Sequence, residues 1–202
     1  IDREAPVTRT NEDYDPDSAA PLRPRAASIQ VATPQGPGWR IVDGEVRWQK
    51  WRFRFGLHPR EGLVLYTVGY EDGGKVRPIL YRASLSEMVV PYGDPAAGWF
   101  FRNSFDAGEL GLGINAAPLT PGVDCPQNCS VFDAVAADGD GRPVTLRHPV
   151  ALYERDGGIL WKHENETRRA RDLVLSFVST VGNYDYSFDW IFHQNGALEM
   201  RV

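Results

Sequence analysis

The chain is 202 residues long and carries 22 basic against 27 acidic residues, for a formal net charge of −5. Its hydrophobic fraction of 42% is enough to build the core of a globular domain. The basic residues are dispersed and form no stripe, which argues against a nucleic-acid partner. Because no apolar run approaches the roughly 20 residues that a membrane helix needs, we expect no membrane span.

The first 35 residues differ in composition from the remainder. Residues 1–35 are rich in Pro, Ala, Arg and Asp and show almost no apolar periodicity. This predicts an extended arm or linker, and we expect residues 36–202 to form the folded domain, starting near Trp39. The sequence opens on Ile1 rather than Met, which suggests a processed or truncated start.

Alternating polar and apolar residues predict strands in the next stretch. Glu45–Leu57 alternates cleanly, as expected of one half-buried strand. Gly62–Tyr70 predicts a second strand, and Glu71–Gly74 predicts the hairpin turn that leads into a third at Val76–Arg82.

Helical, turn and aromatic signals follow. Ser84–Met88 predicts one short helical turn, and the prolines of Pro91–Pro95 predict a fixed turn. Aromatic residues then surround Asp106 in the segment Phe105–Glu109. Two interpretations are open from these residues: a carboxyl group in a poorly solvated pocket, or an Asp that caps a turn.

The remaining sequence predicts more strands, with Glu164–Arg171 as a charged connection. The fold class is therefore all-β. The predicted strands are Val131–Ala136, Pro143–Arg147, Val150–Tyr153, Gly158–His163, Asp172–Thr180, Phe188–Phe192 and Leu198–Val202.

A polar cluster follows the most apolar of these runs. Leu173–Val178 is typical of a strand buried on both faces, and Gly182-Asn183 interrupts it. Tyr184, Asp185 and Tyr186 come next. We expect this cluster to lie where a buried sheet meets a cavity, and buried phenols and carboxylates are costly unless they are hydrogen-bonded or functional.

The two cysteines, Cys125 and Cys129, are too few for a four-ligand zinc site. Only three residues separate them, so a disulfide would close a small loop and constrain the unfolded chain little. Free thiols are the alternative.

Several motifs together resemble the copper-containing amine oxidases. Thr180–Tyr186, Thr-Val-Gly-Asn-Tyr-Asp-Tyr, is similar to the signature in which the tyrosine after Asn becomes topaquinone. Val89–Pro95, Val-Val-Pro-Tyr-Gly-Asp-Pro, resembles a conserved turn of that family, and Phe105–Glu109 resembles its base-carrying segment. Glu45–Gly62 is similar to the opening of the catalytic domain, so the resemblance spans residues 36–202 in order.

The resemblance implies a role for each matching residue. Tyr184 is the topaquinone precursor, Asp106 the catalytic base, Tyr92 a hydrogen-bond partner of the quinone oxygen, and Asn183 an aid in orienting the ring. A primary amine that condenses with a quinone carbonyl has an acidified α-proton, which one carboxylate can remove. Dioxygen would then reoxidise the cofactor. The implied fold is the N-terminal part of a large antiparallel β-sandwich that is incomplete alone.

Copper is the main departure from the family. The family holds copper(II) with three histidines, two of them in a His-x-His pair, and the four histidines here are isolated and match none of those positions. We therefore expect no metal ligand in this chain and a second polypeptide that carries the three histidines, in a dimer of such pairs. The four are His58, His148, His163 and His193.

Smaller departures concern the substrate channel and the cysteines. The resemblance places Ser104, Trp99 and Phe105 along the channel, with Ser104 where the family often has a bulky gate residue such as Tyr. A wider entrance for the primary amine is expected. Cys125 resembles a family half-cystine whose usual partner position is Ala151, which leaves Cys129 as its only partner in the chain.

Two other functions are weighed against the oxidase. One is a structural subunit of such an assembly with an unmodified Tyr184, and the other is a β-sandwich binding module. The sequence leaves the amine and the cellular compartment open.

Overall fold

The structure, a computed structural model, describes residues 29–202; most of the predicted N-terminal arm, residues 1–28, lies outside the described residues. The first strand begins at Trp39. In chain order the elements are β1 (Trp39–Val42), β2 (Glu45–Trp48), β3 (Trp51–His58), β4 (Gly62–Asp72), β5 (Lys75–Ala83), β6 (Val89–Pro91), β7 (Asn103–Phe105), a one-turn π-helix (Asp106–Leu110), β8 (Ser130–Ala137), β9 (Pro143–His163), β10 (Glu166–Val181), β11 (Tyr184–His193) and β12 (Leu198–Arg201).

Two antiparallel five-stranded sheets form the body of the fold. One has the strand order β1-β2-β3-β4-β5 and the other β12-β11-β10-β9-β8, while β6 and β7 form a separate two-stranded ribbon. The all-β antiparallel prediction is confirmed. Within residues 29–202, no helix is long and apolar enough to cross a membrane.

The core lies between the two sheets. Phe53 of β3 stacks on Phe192 of β11 with ring centroids 4.0 Å apart, and Phe177 of β10 stacks on Phe188 at 4.6 Å. All four rings are buried. Since burying one such side chain contributes about 1.5–3 kcal/mol, aromatic contacts between the sheets are a main source of stability.

Strand β10 is buried on both faces over Leu173–Val178, as the sequence predicts. Leu175 and Phe177 belong to the main core, whereas Val178 packs in a second cluster with Ala151 and Cys125. Cys125 forms a disulfide with Cys129, so the disulfide alternative is confirmed.

The predicted strand Glu45–Leu57 is two strands. β2 and β3 pair with each other, and Trp48 lies opposite Trp51 across a turn in which Gln49 has a φ of 49°. Residues paired across a hairpin face the same side of the sheet, so both tryptophans are buried. The alternation of apolar and polar residues therefore continues across the turn, and the sequence predicts one strand where there are two.

Other boundary predictions were also wrong. The strands predicted at Pro143–Arg147, Val150–Tyr153 and Gly158–His163 are one continuous strand, β9. Glu164–Arg171 is not a connection, because β10 begins at Glu166 and pairs with the end of β9 from Glu166↔His163 onward. The charged side chains of this stretch are mostly exposed. Because this end of the hairpin packs against no core, its strands lack the apolar residues by which the sequence would reveal them. Ser84–Met88 forms no helical turn, since the side chain of Glu87 bonds to backbone N–H groups of another segment.

Candidate active site

The Thr180–Tyr186 motif forms a tight hairpin between β10 and β11. Val181 pairs with Tyr184 across the two-residue turn Gly182-Asn183, and Gly182 has a φ of 60°. Glycine is favoured at the first position of such a turn because an L side chain is strained there. The Thr180 hydroxyl donates to Asp185 Oδ1 at 2.7 Å across the strands. Thr180, Gly182 and Asp185 thus hold Tyr184 at the first position of β11.

Tyr184 lies at the end of the sheet with its side chain accessible. It is 52% exposed, and its ring faces that of Tyr186 with centroids 6.1 Å apart and planes 27° from parallel. Asn183 and Asp185 are also exposed. The expectation of a buried polar cluster was therefore wrong for these three residues, because they lie in the turn and at the first positions of β11, at the exposed end of the sheet; only Tyr186 is partly buried.

Asp106 meets the hairpin through Tyr186. The carboxylate is buried, with 4% of the residue exposed, and the Tyr186 hydroxyl donates to its Oδ2 at 2.9 Å. Burial and this hydrogen bond raise the pKa of Tyr186 to about 12. The phenol is therefore a permanent donor at ordinary pH. Of the two interpretations that the sequence left open, the buried carboxyl group is confirmed.

Tyr92 approaches the same group from the β6–β7 ribbon. The Asp106 carboxylate and, when ionised, the phenols of Tyr184 and Tyr92 lie near enough to Tyr186 to raise its pKa. These neighbours of Tyr186 come from three separate parts of the sequence. Arg102 lies over the Tyr92 ring at 5.9 Å from its centroid.

The segment from Asp106 to Ala117, called here the base segment, connects Asp106 to strand β10. Ser179, which is fully buried, donates from its hydroxyl to the carbonyl of Leu112 at 2.7 Å. The Ala117 N–H donates to the Val178 carbonyl at 2.8 Å. The strand that positions Tyr184 therefore also fixes the base segment.

The predicted channel residues lie on or beside the ribbon. Ser104 is partly buried in β7, opposite Val90 of β6. Phe105, next along β7, is 43% exposed. Trp99, in the loop between the two strands, is 50% exposed, and the Arg102 guanidinium lies 5.4 Å from its ring centroid.

The residues that the structure describes do not fit a copper ion. No group of three or more His, Cys, Asp or Glu side chains within residues 29–202 could hold a metal. Two of the four histidines are engaged elsewhere: His148 lies beside Asp133, and His193 bonds to Asp172 and Glu199.

Residues 40–202 match the family described as copper amine oxidase, enzyme domain. The chain belongs to this family. It is 48% identical over 181 residues to N-methylputrescine oxidase 1 of Nicotiana tabacum, covering 86% of this chain and 23% of the relative. It is 40% identical over 207 residues to a primary amine oxidase of Arthrobacter sp. strain P1, covering 100% of this chain and 32% of the relative.

A solved structure gives the same result. The copper-containing benzylamine oxidase from Hansenula polymorpha superimposes with a TM-score of 0.82 at 33% identity, over 93% of this chain and 30% of that one. The chain thus spans about a quarter to a third of the length of these relatives.

Sequence reasoning missed the contact that joins the site. The sequence indicates Tyr186 only as part of a polar cluster, yet this residue links Asp106 to the Tyr184 hairpin. Its position two residues after Tyr184, on the same face of a strand, was the available signal.

Proposed function

We propose that this chain carries the cofactor tyrosine and the base of a copper and topaquinone primary amine oxidase. The reaction consumes a primary amine, dioxygen and water and yields an aldehyde, ammonia and hydrogen peroxide. The observation that carries the proposal is the hydrogen bond between Asp106 and Tyr186, whose ring faces that of Tyr184 on the same hairpin.

Tyr184 suits its proposed role as topaquinone precursor. Its ring is half-exposed, so both an oxidant and an amine can reach it, and the turn fixes its backbone. Once formed, the quinone supplies an electron-poor carbonyl to which a primary amine adds, and this acidifies the C–H bond beside the nitrogen. Asn183 directly precedes the ring in the turn, which suits an orienting role, and Tyr92 is the proposed donor to the quinone oxygen.

Asp106 is the proposed acceptor of the substrate proton. Its Oδ2 is occupied by the Tyr186 hydroxyl, so Oδ1 is the oxygen that we assign to proton removal. The hydrogen bond fixes the carboxylate plane, and a positioned general base of this kind contributes about 10²–10⁴-fold to a rate. Burial of the carboxylate at 4% exposure keeps water from competing for it.

Copper is proposed to be held by histidines that are not among residues 29–202, where no group of three or more ligating side chains is found, and the working assembly is proposed to be a dimer. The metal content of the intact assembly and the identity of any copurifying chain test both parts.

The amine is not specified by the relatives, whose names include oxidases of N-methylputrescine, methylamine and histamine. Ser104 is smaller than a Tyr gate, so we propose a wide entrance beside Trp99 that accepts large aromatic amines. A kcat/KM for methylamine that exceeds the value for benzylamine in the intact assembly would contradict this.

The substitution Asp106→Asn in the intact oxidase tests the function. We expect amine-dependent peroxide release to fall about 10²–10⁴-fold, because the base is lost. Phenylhydrazine should still colour the variant, since Tyr184 is unchanged. Asp133→Asn, on the distant strand β8, is the matched control.

If Asp106→Asn turned over amine at the wild-type rate, the assignment of the base would be wrong. If wild-type protein neither took up phenylhydrazine nor oxidised amines, the structural-subunit alternative would replace the proposal.

A further inference from the structure

Glu87 is a partly buried carboxylate outside the residues that the mechanism uses, and it contacts the base segment. Its Oε1 accepts hydrogen bonds from the backbone N–H groups of Ala107 at 2.9 Å, Gly108 at 3.2 Å and its own neighbour Met88 at 3.0 Å. Ala107 and Gly108 directly follow Asp106. One oxygen atom therefore holds the two peptide groups after the proposed base.

These N–H groups belong to the first turn of the π-helix, where backbone donors have no partner inside the helix. The N-cap position is Phe105, whose side chain makes no capping hydrogen bond. Glu87, about 20 residues earlier in the sequence, satisfies them instead. Helix N-termini favour a negative charge, so a carboxylate is well suited to this position.

A second pair of contacts fixes Glu87 itself. Its Oε2 accepts from the Arg60 guanidinium at 3.2 Å, and Arg60 also contributes its carbonyl to the Leu112 N–H at 2.8 Å. The Met88 carbonyl accepts the Asp106 N–H at 3.0 Å. Met88, Glu87 and Arg60 thus contact the base segment at the first residue of the π-helix, within its first turn and just after its end.

Gly108 lies close against the Glu87 carboxylate. A methyl group on Gly108 would lie 2.7 Å from Glu87 Oε2, nearer than Cβ atoms approach other atoms. The absence of a side chain at Gly108 is what lets the carboxylate reach the backbone.

We propose that Glu87 is a positioning residue that sets the geometry of Asp106 by capping the π-helix. This inference rests on the proposed function, in which Asp106 removes the substrate proton. A displacement of the base by about 1 Å can lower a rate about a hundredfold, so the cap matters to the chemical step more than to binding.

The test uses the intact copper-loaded oxidase with Glu87→Ala and Glu87→Gln. The first removes the acceptor, whereas the second keeps an acceptor oxygen and removes only the charge. We expect anaerobic reduction of the quinone by amine, per phenylhydrazine-reactive site, to fall roughly 10- to 100-fold in Glu87→Ala, with the KM for amine changed by less than about threefold. Glu87→Gln should recover most of the rate. Glu71→Ala removes a Glu–Arg ion pair from the distant part of β4 and is the matched control.

A second readout separates positioning from stability. Amide hydrogen exchange in the peptide that contains Ala107 and Gly108 should be faster in Glu87→Ala and near wild type in Glu87→Gln. Gly108→Ala should reproduce the slow reduction, because its methyl group displaces the carboxylate. An unchanged rate per quinone in both Glu87→Ala and Gly108→Ala would overturn the proposal, even if the melting temperature fell. A wild-type protein without quinone would instead overturn the proposed function.

Discussion

The hydrogen bond between Tyr186 and Asp106 gives the sharpest prediction. Tyr186→Phe removes the hydroxyl that donates to Asp106 Oδ2 at 2.9 Å and leaves the ring in place. A hydrogen bond to a charged group contributes about 1.5–3 kcal/mol, which is enough to hold the carboxylate in one orientation. Without it the base is free to move, and a misplacement of about 1 Å lowers a rate roughly 100-fold. We therefore expect the rate of proton removal to fall roughly 10- to 100-fold.

The assay is rapid mixing of amine with the intact oxidase under anaerobic conditions, followed by the bleaching of the quinone absorbance. Rates are divided by the phenylhydrazine-reactive content, so that incomplete cofactor formation does not count as slow chemistry. Tyr70→Phe is the matched control, because it removes a tyrosine hydroxyl that donates to the Gln194 carbonyl at 3.1 Å, away from the site. A Tyr186→Phe rate within twofold of wild type would refute the role of this bond.

The same pair predicts a pH response. The pKa of Tyr186 is raised from its ordinary value of 10.0 to about 12 by burial and by the bond to Asp106. The resulting stability is fully present below pH 10 and is lost as the pH rises toward about 12. The alkaline loss of stability should therefore be shallower in Tyr186→Phe than in wild type.

Two further predictions concern the support of the site. Burial alone would raise the pKa of Glu87, but its backbone hydrogen bonds and Arg60 hold that pKa below the ordinary 4.5. The ionised Glu87 therefore stabilises the fold above pH 4.5, and this stability is lost as the pH falls through the lowered pKa. In Glu87→Gln, the midpoint of urea unfolding should fall less steeply on the acid side than in wild type. An identical dependence of the midpoint on pH would contradict the cap. Gly113→Ala places a methyl group 2.0 Å from the backbone carbonyl oxygen of His58, which cannot move aside as a side chain could. We expect a loss of at least about 2 kcal/mol in free energy of unfolding, and a loss below about 0.5 kcal/mol would show that the base segment is loosely held.

Much of the fold follows from local pattern. The apolar run Leu173–Val178 predicts a strand buried on both faces, and the structure has it in the centre of its sheet. The prediction from pattern fails where the alternation of one strand continues in phase into the next, as across the turn between Trp48 and Trp51. It also fails on the exposed part of the β9–β10 hairpin, where pairing alone, without an apolar face, maintains the strands.

The sequence predicts only those site residues that lie inside short contiguous motifs. Tyr184 and Asp106 are recognisable because each lies inside a contiguous signature. The π-helix is not, because its geometry depends on Glu87 and on the Asn115 side chain, which donates to the Leu110 and Gly111 carbonyls. The Tyr186–Asp106 bond joins residues 80 positions apart, which no local pattern encodes.

The central claim is that Tyr184 becomes the cofactor, and the mass of the peptide that contains it tests this most directly. The intact native assembly is digested after reaction with and without phenylhydrazine, and the peptide spanning the Tyr184 turn is measured. We expect a gain of two oxygen atoms and a loss of two hydrogen atoms at Tyr184, with a coloured adduct after phenylhydrazine. An unmodified tyrosine in copper-replete protein would contradict it.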